Sequence, residues 1–198
     1  MHKSGILSVI ACIALICSLE VTLSFSANAD NKIVAIADAT QSTTSTAGGT
    51  AATTDGLLSF GAGYLHEFGS ASRMGFETGL IYLQRSYGQS GVLTYKSNWI
   101  QVPFTAHLHS MGFSFGAGTY LSYGFGNLAT DTAGVITTST LSSSQKKWDY
   151  GVQGALGYLV ANRILLEIRY SVGLANLATN TSNSQKFNDA QLVLGFCF

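Results

Sequence analysis

Seven stretches of this chain alternate large apolar residues with small or polar ones. Leu58, Phe60, Ala62 and Tyr64 fall between Ser59, Gly61 and Gly63; Met74, Phe76, Leu80 and Tyr82 fall between Gly75, Glu77, Gly79 and Arg85. The same period recurs at Ile100–His109, Phe113–Tyr123, Trp148–Tyr158, Ile164–Gly173 and Ala190–Phe198. A two-residue period puts one residue class on each side of a strand. An even-numbered closed sheet needs an eighth strand, and Lys32–Ser42 is the candidate, although Ile33-Val34-Ala35-Ile36-Ala37 hardly alternates.

The connections alternate as well. Long segments rich in Thr, Ser, Ala, Gly and Asn (Thr43–Gly56, Ser86–Ser97, Gly126–Lys147, Asn176–Lys186) take turns with short ones at Gly69–Arg73, His109–Gly112 and Ala161–Arg163. Phased strands with this asymmetry predict an all-β fold: an eight-stranded antiparallel up-and-down transmembrane β-barrel with long extracellular loops and short periplasmic turns. Both termini then lie in the periplasm. Pro103 resists the scheme, because a barrel has no free edge for a residue without an N–H. A bulge or strand end is expected there.

The two faces choose between kinds of barrel. A soluble ligand-binding barrel turns its apolar face inward and needs a charged exterior. Here the small face is mostly Gly, Ser and Thr, which suits an interior that side chains fill when there are eight strands. Glu77, Arg85, Glu167 and Arg169 share that face. Buried charges need partners, and guanidinium offers carboxylate a two-pronged fork. One ion-pair network closing the lumen is therefore expected from these four, ahead of a catalytic carboxylate site. His107-Leu108-His109-Ser110 is the His/Ser cluster a hydrolase reading would use with an orienting acid, but it lies at the periplasmic end and no lipid-A deacylase-like motif follows it. Tyr64, Phe68, Tyr82, Tyr95, Trp99, Tyr123, Phe125, Trp148, Tyr150, Tyr158 and Tyr170 lie towards strand ends. They read as interfacial girdles.

Composition narrows the classes. Charged residues make up 10%, with Lys+Arg equal to Asp+Glu, against about 25% in soluble domains. No basic patch supports nucleic-acid binding. Of three cysteines, Cys12 and Cys17 precede residue 30 and Cys197 follows it. No metal spacing and no cofactor motif is present, so no cofactor is expected. Lys3, the apolar run Ile6–Leu19 and Ala27-Asn28-Ala29 read as a cleaved signal peptide, residues 1–29, ahead of a barrel domain, residues 30–198.

Phe60-Gly61-Ala62-Gly63-Tyr64, Gly79-Leu80-Ile81-Tyr82, Ile100-Gln101-Val102-Pro103-Phe104, Gly116-Ala117-Gly118-Thr119-Tyr120-Leu121, Gly154-Ala155-Leu156-Gly157-Tyr158 and Glu167-Ile168-Arg169-Tyr170-Ser171-Val172-Gly173-Leu174 carry a resemblance. Over roughly residues 55–198 the chain resembles the small bacterial outer-membrane β-barrel domain family (porin-like, of the PorT, OmpX and OmpA-barrel kind). A middle-strand proline and an R-Y-x-x-G-L segment recur in that family. Phe196 and Phe198 resemble the C-terminal signature of outer-membrane proteins. The resemblance implies a bacterial outer-membrane location, contact with lipid and lipopolysaccharide, and recognition of the last strand by the barrel-assembly machinery. It implies no catalytic residues. The expected function is non-enzymatic, structural or surface-interacting, with an extracellular partner met through the loops. A narrow channel for small solutes, and less so a lipid-modifying enzyme, are the alternatives.

Overall fold

The computed structural model describes residues 31–46, 49, 51–69, 73–89, 93–132, 134–141, 145–161, 163–180 and 183–198. The expected leader, residues 1–29, lies outside them. Among the described residues are ten strands: β1 (Asn31–Thr46), β2 (Ala52–Thr53), β3 (Asp55–Phe68), β4 (Met74–Gln89), β5 (Leu93–Ser110), β6 (Phe113–Thr132), β7 (Val135–Thr140), β8 (Trp148–Val160), β9 (Ile164–Gly173) and β10 (Asn183–Cys197). Eight follow one another around the sheet as β1-β3-β4-β5-β6-β8-β9-β10, and β10 pairs back onto β1. That seam runs antiparallel from Lys32 opposite Cys197 to Thr46 opposite Asn183. The sheet is a closed eight-stranded barrel, with β2 and β7 as flaps on β1 and β6 at the long-loop end.

The weak first strand is real, and its weak signal has a cause. Val34 and Ile36 are buried in the interior while Ile33, Ala35 and Ala37 face outward. Apolar residues on both faces erase the alternation. Elsewhere the barrel is inside-out relative to a soluble protein. Leu58, Phe60, Phe76, Phe104, Ile168 and Leu192 are exposed on the outer wall, whereas Glu77, Gln101, Thr105, Ser122, Glu167 and Arg169 are buried. An apolar belt of that extent has no place in water.

Several expectations change, and the connections Thr43–Gly56 and Asn176–Lys186 are themselves shortened by β1 running to Thr46, β3 starting at Asp55 and β10 starting at Asn183. The stretch Ser86–Ser97 is not a loop: β4 continues to Gln89 and β5 starts at Leu93. Much of Gly126–Lys147 is strand too, since β6 runs to Thr132 and folds back as β7. These strand ends stand beyond the apolar belt, so no apolar face marks them, and Thr-rich pairing holds them. Pro103 makes neither bulge nor strand end. The β4–β5 pairing runs from Thr78–Phe104 to Ile81–Gln101 without a change of register, skipping Gly79 and Leu80 opposite Val102 and Pro103. The β5–β6 pairing is continuous there. The missing proline donor thus leaves a local gap on the β4 side only.

Candidate functional site

The candidate site is the lumen, built in layers from inward positions of all eight strands. The first charged layer lies near the short turns. Lys32 of β1 donates from Nζ to Glu67 Oε2 of β3 at 2.6 Å and to Glu77 Oε2 of β4 at 2.9 Å. Arg169 of β9 donates from Nη2 to Glu77 Oε1 at 2.8 Å and to Glu167 Oε1 at 2.7 Å, and from Nε to Glu167 Oε1 at 2.9 Å. On β5, His109 Nε2 meets Glu67 Oε1 at 2.5 Å, and His107 Nε2 lies 3.7 Å from Glu77 Oε1. In the ring of eight, β4 and β9 stand opposite each other. The Arg169–Glu77 pair therefore spans the lumen. Gly75 makes room for this layer, since a Cβ there would collide with the Glu67 carboxylate.

Above it the lumen is divided. Ile36, Leu65, Ile81 and Leu83 line the side built by β1, β3 and β4. Gln101, Thr105, Ser122, Gln153 and Ser171 line the side built by β5, β6, β8 and β9. Gln153 Nε2 donates to Thr105 Oγ1 at 2.6 Å, and Ser122 Oγ to Gln101 Oε1 at 3.3 Å.

The second charged layer follows. Arg85 of β4 donates from Nη1 to Asp149 Oδ2 of β8 at 2.8 Å and from Nη2 to Asp189 Oδ2 of β10 at 2.7 Å. Tyr120 OH of β6 donates to Asp149 Oδ2 at 3.2 Å. Thr40 and Asp38 of β1 complete it. An aromatic cap packs at the long-loop end. The Arg85 guanidinium lies 4.9 Å from the Trp99 ring centre and 5.2 Å from that of Phe187. Phe187 packs on Trp99 and Tyr87, and Tyr87 stacks on Tyr95. Leu141 and Leu177, from two different long connections, are buried in the same region. Those connections are tied together, Lys146 N to Leu177 O at 2.8 Å, with Gln145 bridged to Ala178.

The four charges expected to meet are divided between layers. Glu77, Glu167 and Arg169 share the first, whereas Arg85 stands in the second and pairs with Asp149 and Asp189 instead. Strand periodicity fixes which face a residue takes, but strand stagger fixes its level. Sequence reasoning missed Lys32, Glu67, Asp38, Asp149 and Asp189 as ion-pair or hydrogen-bond partners. Their inward parity on β1, β3, β8 and β10 was the available signal. Two girdle assignments also change. Trp99 is buried, and Tyr95 packs against the interior cluster. Tyr64, Tyr82, Trp148, Tyr150, Tyr158 and Tyr170 do face outward, and Tyr123 packs on Trp148 at 4.8 Å with Lys147 Nζ 6.0 Å from its ring centre. Phe196 and Phe198 stack at 6.5 Å beside the seam, where Phe198 N donates to Asn31 O at 3.0 Å.

Among solved structures, Neisserial surface protein A is 14% identical over 84% of this chain and 97% of its own, with a TM-score of 0.54. Ail, the attachment invasion locus protein of Yersinia pestis, is 13% identical over 85% of this chain and 99% of its own, with a TM-score of 0.49. At 14% identity the likeness to Neisserial surface protein A speaks for fold alone. No curated protein sequence matches the chain. The model of the outer membrane protein β-barrel domain matches residues 18–179, and the chain belongs to that family: it is a bacterial outer-membrane protein whose apolar belt faces lipid.

Proposed function

We propose that this protein is a non-enzymatic outer-membrane barrel whose lumen is closed and structural, and whose extracellular ends meet a partner. The observation that carries the reading is the burial of both lumenal guanidinium groups: Arg85 and Arg169 are 0% exposed. Arg85 binds carboxylates on β8 and β10 and Arg169 binds Glu77 on the opposite wall, so charged side chains fill the section where a solute would pass. A channel needs a continuous wet path, and two ion-pair layers plus an aromatic cap stand in its way. A hydrolase needs a hydroxyl activated by imidazole. His109 is bonded to Glu67, and His107 has no hydrogen-bond partner.

Function then falls to the rim. The β4, β5, β6 and β7 strands continue above the membrane as a ribbon with an uncharged Thr-rich flap, with Val135 and Ile136 exposed near its tip. Rigid scaffolds commonly carry function on such extensions. The outer wall supports contact with lipid and lipopolysaccharide, and Tyr123, Trp148 and Lys147 suit the headgroup level. The closing strand β10, with Phe196 and Phe198, suits recognition by the assembly machinery after removal of residues 1–29.

Planar-bilayer recording of the purified protein should give no large steady current, and a porin-scale current would overturn the closed lumen. Replacing residues 127–140 and the other three extracellular connections by short turns should leave folding intact, read as the gel shift between unheated and boiled samples. The same trimming should abolish attachment of cells displaying the protein to cell or matrix surfaces. Attachment that survives removes the basis for a loop-borne role.

A further inference from the structure

The second charged layer holds more carboxylates than cations. Asp38, Asp149 and Asp189 are all buried, and Arg85 is the cation bonded in this layer among the described residues. Arg85 serves Asp149 and Asp189 and leaves Asp38 without an ion-pair partner. Asp38 Oδ2 lies 2.7 Å from Thr40 Oγ1 and 3.3 Å from Ser59 Oγ, and its Oδ1 has no hydrogen-bond partner. Around it, β3 contributes Ser59, β4 Arg85, β6 Tyr120, β8 Asp149, and β10 Asp189 and Gln191. A buried carboxylate without a cation neutralises rather than stay charged.

Thr40 shows where the neutralising proton goes. Its Oγ1 sits 2.7 Å from Asp38 Oδ2 and 2.8 Å from Asp189 Oδ1. A hydroxyl carries one hydrogen. It cannot point that hydrogen at two carboxylate oxygens and make a well-aligned bond to each. One carboxyl must donate instead. Asp189 is bonded to Arg85 whereas Asp38 has no cation bonded to it among the described residues, so the donor is Asp38. We propose that Asp38, Thr40 and Asp189 form a buried proton-binding site, in which protonated Asp38 donates to Thr40 and Thr40 donates to Asp189. The relay continues through Arg85 to Asp149 and joins four strands, β1, β4, β8 and β10. Loss of the proton would set three carboxylates against one guanidinium beneath the cap. The extracellular half of the plug is thereby sensitive to pH.

The sign follows from proton counting. An aspartate in the unfolded chain ionises near pH ~3.9. Above that, this site holds one proton more in the folded barrel than in the unfolded chain. The folded-to-unfolded ratio from this site falls by up to about tenfold per pH unit as pH rises, until the proton leaves. The test uses the protein folded in lipid vesicles. Infrared spectra at about pH 6, well above the ordinary aspartate range, should contain the C=O band of a protonated carboxyl, and Asp38→Asn should remove it. In urea titrations across pH, Asp38→Asn should fold as well as the natural chain and lose this contribution to the pH slope. Asp189→Asn, which takes a carboxylate from Arg85, should destabilise the barrel instead. Absence of the band in the natural protein overturns the proposal, as does its persistence in Asp38→Asn. So does an Asp38→Asn variant destabilised as strongly as Asp189→Asn. The band is read on the natural chain, so a misfolding variant leaves the test standing.

Discussion

Arg169 shows how much one lumenal side chain holds together. Its fork binds Glu167 on its own strand and Glu77 on the opposite wall, and Glu77 is shared with Lys32. Arg169→Leu leaves Glu167 buried without an ion-pair partner. Breaking one side of a buried pair costs more than the pair is worth as a whole, because the remaining charge is stranded. The expected loss is about 3 kcal/mol, measured by urea unfolding in lipid vesicles, and an unchanged midpoint would refute it. This side chain was legible in the sequence, since Glu167 and Arg169 are two apart and share a face. Its partnership with Glu77 was legible as to face. Arg85 was legible in parity only. Its partners Asp149 and Asp189 sit on β8 and β10 at a height set by the slant of the strands, and the slant leaves no mark in any one strand's alternation. Lys32 and Glu67 lay hidden for a simpler reason. One belongs to the strand with apolar residues on both faces, and the other stands past the last clear alternation of β3 at Tyr64.

Among the elements, the middle of β5 has a gap in its ladder to β4. Pro103 has no N–H to offer Gly79 across the β4–β5 ladder, yet the register on either side of the gap is the same. The two strands are thus already placed for the missing bond. Pro103→Val keeps an apolar residue there and restores the donor. It should stabilise the barrel by about 1 kcal/mol, the usual net worth of one hydrogen bond. The new amide at position 103 should exchange slowly with solvent deuterium. Fast exchange at that amide would show that the gap has another cause. The sequence flagged this residue correctly as an anomaly but misjudged its form, because a proline signals a missing donor and not how the neighbouring strand responds. The extracellular ribbon reads the other way round. Residues 127–140 have loop composition, yet β6 and β7 pair from Asn127–Thr140 to Thr132–Val135. Outside the bilayer no apolar face is required, so period two fades while Thr still favours extended backbone.

At the scale of the whole molecule, the proposed closed lumen would have two barriers in series. The periplasmic one is the Lys32–Glu67–Glu77–Arg169–Glu167 layer; the extracellular one is Arg85 with its aspartates, capped by Trp99, Tyr87 and Phe187. Current through barriers in series is set by the tighter one, so opening either alone should change little. Glu167→Ser with Arg169→Ser removes one charge of each sign and leaves Glu77 its bond to Lys32, so no carboxylate is stranded. Trp99→Ala with Phe187→Ala removes the aromatic floor of the cap. In planar bilayers each double variant should stay as quiet as the natural protein, and the four changes combined should produce a small steady current. A variant with only the periplasmic layer removed that conducts as well as the combined one would mean that the extracellular barrier is not sealed. The converse result would place the whole seal at the cap. A quiet combined variant would mean that the Arg85–Asp149–Asp189 layer, which these changes leave in place, closes the lumen without the cap. Of the four outcomes, only the series arrangement makes both the periplasmic charged layer and the aromatic cap necessary to the closed state, because each stands in the lumen at its own level.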